Sequence, residues 1–439
     1  MSNRRRIVLT TFGSFGDIHP FMAIAIELQA RGHIAVIATS SLYQEKIESA
    51  GLNFTAVAPN LPPPREQDQT LMDKIMEPKS GPKFLLELLL PSLRESYQDL
   101  ISATAGAHLL INHPIMLAAQ LAARKTGIPW ISTALAPMSF FSAYDPPVLP
   151  FWPFLRHCNM FGPVFMRAVF ALMQQQYRPK QFDELRKGLA ISDYGNPIFA
   201  GQHSPSLSLA LFSPLFAPPQ RDWPSQTKIT GFPFYDSHSK LEMPAELVRF
   251  LDEGPAPIIF TLGSSAVWVA RDFFHQSIAA TKKIGCRAVL LVGDERNMPQ
   301  ESLPAGVLAV NYAPYEILLS RACAMIHHGG VGTTSQGLRA GVPTLIVPFA
   351  FDQSDNAAHA HRLGTSRTLQ RHQYVAARVA RELELLLREP QYAKKARWVS
   401  EHLQKEKGAA VAGDLIEQFL DGSTNIEEQH AESLYASRN

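Results

Sequence analysis

The sequence contains little of what disulfide-bonded, zinc-binding or membrane-spanning proteins need. Only three of its 439 residues are cysteine (Cys158, Cys286 and Cys323), and no two of them form a CxxC pair. Three scattered cysteines support neither a disulfide framework nor a zinc site, and they fit a reducing compartment. No apolar run reaches the ~18 residues of a transmembrane helix, and the run at 7–12 is too short for a signal peptide. We therefore expect a cytoplasmic protein.

Charged residues are also sparse. They make up 18% of the chain, and the formal net charge is +2. General nucleic-acid binding requires a concentrated basic excess, so we expect no nucleic-acid partner. Apolar residues make up 46% of the chain, and its length favours two domains, each large enough for its own core.

Short apolar runs alternate with helical segments along most of the chain. In the first half, the predicted strands are 7–12, 34–39, 54–57, 108–112, 129–134 and 207–212. In the second half they are 257–262, 287–292, 307–310, 322–326 and 344–348. Such alternation predicts an α/β fold with two doubly wound, Rossmann-like domains facing an interdomain cleft. We assign residues 1–236 to the N-terminal domain, 237–421 to the C-terminal domain and 422–439 to a polar, disordered tail.

The most informative stretch is residues 325–353, MIHHGGVGTTSQGLRAGVPTLIVPFAFDQ. A strand leads to His328, a glycine turn and two threonines open a helix at 335–340, and a second strand leads to Asp352 and Gln353. The free N–H groups at such a helix start can bind a phosphate, and glycines let the backbone come close to it. The Walker Lys-Ser/Thr is missing, and the stretch lies too late for a dinucleotide fingerprint. A purely structural glycine turn is the alternative.

A second informative stretch is GSFGDIHP at residues 13–20. Asp17 lies in the first turn of the helix that follows the first strand, at the expected mouth of the cleft. A carboxylate placed there can act as a general base, which is worth about 10²–10⁴ in rate. It can equally serve as a helix cap. His19 is the second candidate base, and its alternative is an ordinary polar residue on the first helical turn.

Together these motifs resemble nucleotide-sugar glycosyltransferases of the GT-B fold. Within family 1, the segments 16–20, 216–224 and 230–233 are most similar to rhamnolipid rhamnosyltransferases and to bacterial sterol- and antibiotic-type glycosyltransferases. The resemblance implies an inverting hexosyltransferase that needs no cofactor. It would move rhamnose or glucose from a dTDP- or UDP-sugar to a hydroxyl of a hydrophobic or lipid acceptor, with Asp17 as base. UDP-glucose-dependent transfer to a sterol, polyketide or terpenoid is the alternative within the family.

In the plant members of this superfamily, a histidine is the base and pairs with an aspartate near the fourth strand. Residues 108–120 of this sequence contain no Asp or Glu. The resemblance therefore does not carry a His–Asp pair into this chain, and we expect Asp17 to act alone or with His19.

The resemblance also implies a donor site. Tyr312 would stack on the nucleotide base, Ala313 would read it through backbone groups, and Asp352 and Gln353 would bind the sugar. His328 and the glycine–threonine turn would hold the diphosphate. The full donor-binding set is Gly16, Ser264, Tyr312, Ala313, His328, Gly330, Gly332, Thr333, Thr334, Gln336, Asp352 and Gln353.

Two features bear on the chemistry of that donor site. Gln336 stands where plant members often have a glutamate that grips the ribose, which leaves UDP and dTDP both open. No Asp-x-Asp occurs, so we expect no metal at the diphosphate. The helix start and His328 would stabilise the leaving diphosphate instead, and a structural role is expected for His327.

Aromatic and methionine side chains are concentrated at 138–173, a loop-rich segment with few charges. Such a stripe is more often core than pocket. It also suits a hydrophobic acceptor, or peripheral contact with the inner face of a membrane. The acceptor-binding candidates are Met138, Phe140, Phe141, Trp152 and Phe165.

Two other classes of protein remain alternatives. Sugar-nucleotide epimerases share a two-domain fold of this kind, but they need no apolar acceptor site. A non-catalytic lipid- or nucleotide-binding subunit would not need Asp17, His328 and Asp352–Gln353 together.

Overall fold

The computed structural model describes residues 4–62, 69–150, 152, 155, 160–236 and 243–436, with side chains described through residue 422. Its two sheets are parallel throughout. The first contains β1 (Arg6–Thr10), β2 (Ile34–Thr39), β3 (Asn53–Ala56), β4 (Leu109–Asn112), β5 (Trp130–Ala134), β6 (Ser208–Ala210) and β7 (Thr227–Ile229). Their order is β3-β2-β1-β4-β5-β6-β7.

The second sheet contains β8 (Ile258–Thr261), β9 (Ala288–Leu291), β10 (Val307–Val310), β11 (Ala324–His327), β12 (Thr344–Ile346) and β13 (Ser366–Thr368). Their order is β10-β9-β8-β11-β12-β13. The order therefore reverses between β1 and β4 in one sheet and between β8 and β11 in the other. Ligands of doubly wound sheets bind at such a reversal, beyond the carboxyl ends of the strands.

Sixteen α-helices connect and cover the strands in the described part of the chain. In the first half they are α1 (Phe15–Ala30), α2 (Gln44–Ser49), α3 (Gln69–Ile75), α4 (Gly81–Leu89), α5 (Leu93–Ala103), α6 (Leu117–Thr126), α7 (Gly162–Gln176) and α8 (Lys180–Gly188). In the second half they are α9 (Ala245–Asp252), α10 (Phe273–Ile284), α11 (Tyr315–Leu319), α12 (Val331–Ala340), α13 (Gln353–Arg362), α14 (Ala376–Arg388), α15 (Pro390–Leu403) and α16 (Gly408–Ala436). No helix of the described residues combines the length and the apolarity required to cross a bilayer.

Both sheets are covered on their two faces, and the strand sequences reflect this. All residues of β4, β8, β9 and β11 are buried. Strands of a parallel sheet with helices on both faces read as continuous apolar runs rather than as an alternation, which is why they could be found in the sequence. The predicted α/β class and the two Rossmann-like domains are confirmed.

The last helix departs from the expected domain division. On α16, Ala412, Ile416 and Leu420 are buried in the same cluster as Ile7 and Leu9 of β1. The end of the chain thus crosses back and completes the core of the N-terminal domain. The helix continues to Ala436, whereas disorder was expected from residue 422. Its Glu, Gln and Ala residues have good intrinsic helix propensity, which composition-based reasoning about polar tails ignores.

The connection from β3 to α5 is helical over part of its length. It contains α3, which reaches across to the other domain: Met72 and Met76 are buried with Phe260 and Leu262. A 3₁₀ turn at Leu90–Ser92, which contains Pro91, separates α4 from α5. The expected domain boundary at 236/237 borders residues 237–242, which lie outside the described residues.

Candidate active site

Two cavities open between the domains and meet where α1 and α12 begin. The Tyr312 cavity, of about 330 Å³, lies towards β9 and β10. The Asp17 cavity, of about 420 Å³, lies towards α3 and α4. Residues that line both are Gly16, Leu135, Ser264, Trp268, Val331, Gly332 and Thr333. An elongated ligand can therefore run from one cavity into the other past two helix N-termini.

The start of α12 is suited to an anion. Within the described structure, no side chain caps this helix at Gly330. The first N–H groups of an α-helix have no partner inside the helix, and here they belong to Val331, Gly332 and Thr333 in the walls of both cavities. A Cβ atom on Gly332 would lie 3.4 Å from the Gly16 Cα atom, so the glycine also permits the close approach of α1.

The His328 ring packs between Gly263 and Gly330. A Cβ atom on Gly263 would lie 2.5 Å from His328 Cε1, and one on Gly330 would lie 2.4 Å from His328 Nε2. Burial lowers the pKa of His328 to about 4, so the ring is neutral near pH 7. Its Nδ1 has no hydrogen-bond partner among the described residues. His328 can therefore offer a ligand an N–H donor, but it does not offer a positive charge.

Thr334 and His327, which flank this turn, line neither cavity. Thr334 lines neither cavity, because its backbone N–H and its hydroxyl both donate to Gly330 O, at 2.9 and 3.0 Å. The expected phosphate contact by Thr334 is therefore replaced by a role in holding the turn, while Thr333 lines both cavities. His327 is buried at the end of β11 and accepts from the Gly329 N–H through Nδ1, in keeping with the structural role expected for it.

The residues expected to bind the nucleotide base and ribose come together in the Tyr312 cavity. Tyr312 is 59% exposed, so its ring can stack on a base, while the adjacent Ala313 is buried. Gln336 lines the same cavity from α12. Ser264 lines both cavities, and its carbonyl accepts from Trp268 Nε1 at 3.0 Å. Trp268 was not identified from the sequence.

Asp352 and Gln353 line the other cavity, at the start of α13. Burial raises the pKa of Asp352 to about 7. Gln353 Oε1 accepts from the Phe349 and Ala350 N–H groups, which fixes the side chain. Asn356, missed from the sequence, donates through Nδ2 to Asp352 Oδ2 at 2.7 Å and to the Gly329 carbonyl at 2.9 Å. Its position one turn after Asp352 was the available signal.

Asp17 both caps α1 and faces the cavity. Its Oδ2 accepts from the Ser14 N–H at 2.8 Å and from the Ser14 hydroxyl at 3.2 Å. Gly13 has a φ of 135°, and a Cβ atom there would lie 2.3 Å from Asp17 Oδ2, so only glycine fits. His113 Nε2 lies 3.4 Å from Asp17 Oδ1. A histidine of the fourth-strand region thus lies beside Asp17, a neighbour that the expectation of Asp17 acting alone or with His19 did not include.

His19 is directed away from Asp17. Its ring is stacked on Phe15, at 5.1 Å between centroids, and lies 4.9 Å from the Tyr235 ring. It lines the Tyr312 cavity rather than the cavity that contains Asp17. Burial, with a smaller contribution from the charge of Lys46, lowers its pKa to about 3. This placement disfavours His19 as the alternative base.

The acceptor candidates are mostly not at the cavity. Met138 lines it. Phe140 is buried against Trp223 in a core cluster, and Phe141 and Trp152 pack against another. Phe165 is on the outer surface of α7. An apolar stripe cannot by itself be separated into core, pocket and surface, which is why these four were misplaced.

The apolar wall comes instead from the segment that joins β2 to α5. Its side chains come from α3, α4 and the connecting segments, and they are Leu42, Leu61, Pro62, Met72, Ile75, Met76 and Leu85. The amphipathic spacing of 69–76 was the signal that could have revealed this wall.

Comparison with known proteins agrees with this architecture. Residues 7–131 match the glycosyltransferase family 28 N-terminal domain, and residues 278–418 match the C-terminal domain of erythromycin biosynthesis protein CIII-like proteins. The chain is 30% identical over 434 residues to O-mycaminosyltylonolide 6-deoxyallosyltransferase of Streptomyces fradiae, covering 95% of this chain and 98% of that protein. It is 26% identical over 444 residues to sterol 3-beta-glucosyltransferase of Leptosphaeria maculans, covering 97% of this chain but 29% of that protein.

Solved structures show the same fold. The glycosyltransferase of kitacinnamycin superposes with a TM-score of 0.70 at 20% identity, covering 95% of this chain and 100% of the other. Glycosyltransferase VinC, crystallised in complex with dTDP, superposes with a TM-score of 0.67 at 18% identity, covering 95% and 99%. With the full-length relative, these matches identify the chain as a member of the family 1 glycosyltransferases of the GT-B fold and as a hexosyltransferase that uses a nucleotide sugar.

Proposed function

We propose that this enzyme transfers a hexose, with inversion, to a hydroxyl of a hydrophobic acceptor, and that Asp17 is the general base. The proposal rests on the residues that line the Asp17 cavity. This cavity holds Asp17 together with the sugar-binding pair Asp352 and Gln353, and its far side is an apolar wall centred on α3.

The nucleotide sugar lies across both cavities. Tyr312 stacks on the base, and the diphosphate sits at the α12 N-terminus, between Ser264 and Thr333. The sugar then enters the Asp17 cavity, where the Gln353 amide nitrogen is the end of that side chain left to donate to a hydroxyl. The dTDP in the VinC complex supports a nucleoside diphosphate as part of the donor.

In the reaction, the acceptor oxygen forms a bond to the anomeric carbon while the bond from that carbon to the diphosphate breaks. The electron pair of the broken bond leaves with the diphosphate, and the acceptor proton passes to Asp17. The N–H groups of α12 and the neutral His328 donate to the diphosphate as its charge develops. Attack from the side opposite the leaving group inverts the configuration.

The full-length relative supports one class of donor sugar. Because that relative transfers a 6-deoxyhexose and matches 98% of its length, a dTDP-6-deoxyhexose such as dTDP-rhamnose is favoured. Glucose from UDP-glucose, delivered to a sterol, is the second candidate and is supported by the sterol glucosyltransferase match.

Helix α7 supports delivery of the acceptor from a membrane surface. It packs on the domain through Met166, Phe170 and Met173. Its outward side chains include Val164, which is 77% exposed, and Leu172, which is 66% exposed. A helix with an apolar outer face is typical of interfacial contact with lipid. Sedimentation with phosphatidylcholine–phosphatidylglycerol vesicles tests this, and Val164→Asp with Leu172→Asp should reduce binding without reducing the Tm.

The experiment for the proposed function has two stages. Thermal shift with UDP, dTDP, GDP and their common sugars identifies the donor, since a ligand at ~100 Kd adds about 2.7 kcal/mol of stability. The preferred sugar nucleotide is then offered with a macrolide aglycone, a 3β-hydroxysterol, a hydroxy fatty acid or a hydrophilic sugar. A glycoside of one of the hydrophobic acceptors is expected. Equal use of the hydrophilic sugar would argue against the apolar acceptor site.

A further inference from the structure

His113 occupies a fixed position beside the proposed base. It follows β4, and its backbone N–H donates to Thr10 O at 3.0 Å, which continues the pairing with β1 by one residue. The residue is only 8% exposed, and its ring contacts Phe21, with 5.8 Å between centroids. The sheet and the packing together hold the imidazole in place.

The contacts of the ring define which nitrogen carries its hydrogen. The Ile115 N–H donates to His113 Nδ1 at 3.2 Å, so Nδ1 is the acceptor. In a neutral imidazole the other nitrogen is then the donor. That nitrogen, Nε2, lies 3.4 Å from Asp17 Oδ1.

The two oxygens of Asp17 differ in what remains available to them. Oδ2 already accepts two hydrogen bonds from Ser14. Oδ1 makes only the 3.4 Å contact with His113 Nε2, so it keeps a lone pair for a substrate. A carboxylate oxygen can accept about two hydrogen bonds, so the acceptor hydroxyl is expected at Oδ1.

We propose that His113 is a positioning residue for Asp17, a role that rests on the proposed function of this site. Its Nε2, 3.4 Å from Oδ1, holds that oxygen towards the acceptor hydroxyl. The proton of the acceptor moves to Asp17, and His113 keeps its own hydrogen. In the plant members a histidine is the base and an aspartate holds it, whereas here the aspartate is the base and the histidine holds it.

The kinetic test uses His113→Leu, His113→Gln, Asp17→Asn and the double variant Asp17→Asn with His113→Leu. The substrates are the donor and acceptor that the wild type uses in the panel above. His113→Leu should lower kcat by about 10²-fold, as expected for a misplaced reacting group, with the Kd for dTDP or UDP within twofold of wild type. His113→Gln keeps an N–H donor and should recover most of the loss.

In the double variant, removing His113 should change the residual rate of Asp17→Asn by less than about threefold. The reason is that the effects of substituting two residues that act through one another do not add.

The matched control is His108→Leu. His108 precedes the same strand, and its Nδ1 also accepts a backbone N–H, from Arg6, but far from the cleft. The His108→Leu variant should keep the wild-type kcat. Wild-type kcat in His113→Leu, an equal loss in the Asp17→Asn background, or no recovery with Gln would overturn the proposal.

A second readout does not depend on turnover. In ¹⁵N spectra of histidine-labelled protein, the signal lost in His113→Leu should show the Nε2–H tautomer, and Asp17→Asn should shift it. If the wild type is inactive with every acceptor but this signal behaves as described, the proposed function fails and the Asp17–His113 pair stands. A Nδ1–H tautomer, or a signal unaffected by Asp17→Asn, would refute the pair itself.

Discussion

Replacing Gly330 by alanine isolates the contribution of His328. Gly330 has a φ of −57°, a value that alanine adopts without strain. The added methyl group, however, would lie 2.4 Å from His328 Nε2. Because His328 is buried, its ring must move or the turn must open, at a cost of about 1–3 kcal/mol for overpacking.

The displacement removes one donor from the diphosphate. Loss of a single preorganised donor of this kind costs about 10²–10³ in kcat, so Gly330→Ala should lower kcat by that factor. The free energy of unfolding should fall by the overpacking cost. Steady-state kinetics and urea unfolding measure the two effects separately.

The matched control is Gly188→Ala. Gly188 ends α8, and a Cβ atom there meets nothing within 4 Å. Its kcat should equal that of the wild type. If Gly330→Ala also retained wild-type kcat, the assignment of His328 to the leaving diphosphate would be refuted.

Four further predictions concern other parts of the site and the fold. Asp17→Asn should lower kcat by about 10²–10⁴ and leave the Kd for dTDP or UDP unchanged by calorimetry; retained turnover would exclude it as the base. Ile75→Asp, in the apolar wall, should raise the KM for the acceptor but not for the donor. Ile416→Ala should destabilise the protein by about 2–5 kcal/mol, because this residue of α16 is fully buried in the N-terminal core; a neutral effect in urea unfolding would contradict that packing. Burial raises the pKa of Asp352 to about 7, so the free energy of unfolding, measured against Asp352→Asn, should fall as the pH rises from about 4 to 7; a flat or rising difference would contradict the burial.

Local chemistry accounts for what the sequence predicted well. The turn at His328 and the capping aspartate at position 17 are each specified by a few consecutive residues, because a helix start needs glycine, hydroxyl and carboxylate groups at set positions. The parallel strands were recognisable because burial on both faces makes them continuously apolar.

What the sequence could not predict depends on the packing of distant segments. His113 comes within reach of Asp17 only because β1 and β4 are neighbours, a pairing across about a hundred residues of chain that periodicity does not report. The return of α16 to the N-terminal domain is of the same kind. The aromatic stripe at 138–173 was misread because apolar side chains look the same in a core, a pocket and an exposed face.

The most direct test of the account is mass spectrometry of the products. The wild-type enzyme is incubated with dTDP-rhamnose or UDP-glucose and the macrolide, sterol and hydroxy-fatty-acid acceptors. The account predicts an acceptor that gains the mass of one hexosyl or deoxyhexosyl group, matched mole for mole by free nucleoside diphosphate, and predicts that both are nearly lost in Asp17→Asn. An epimerised donor, or an unchanged donor and acceptor in every mixture, would contradict it.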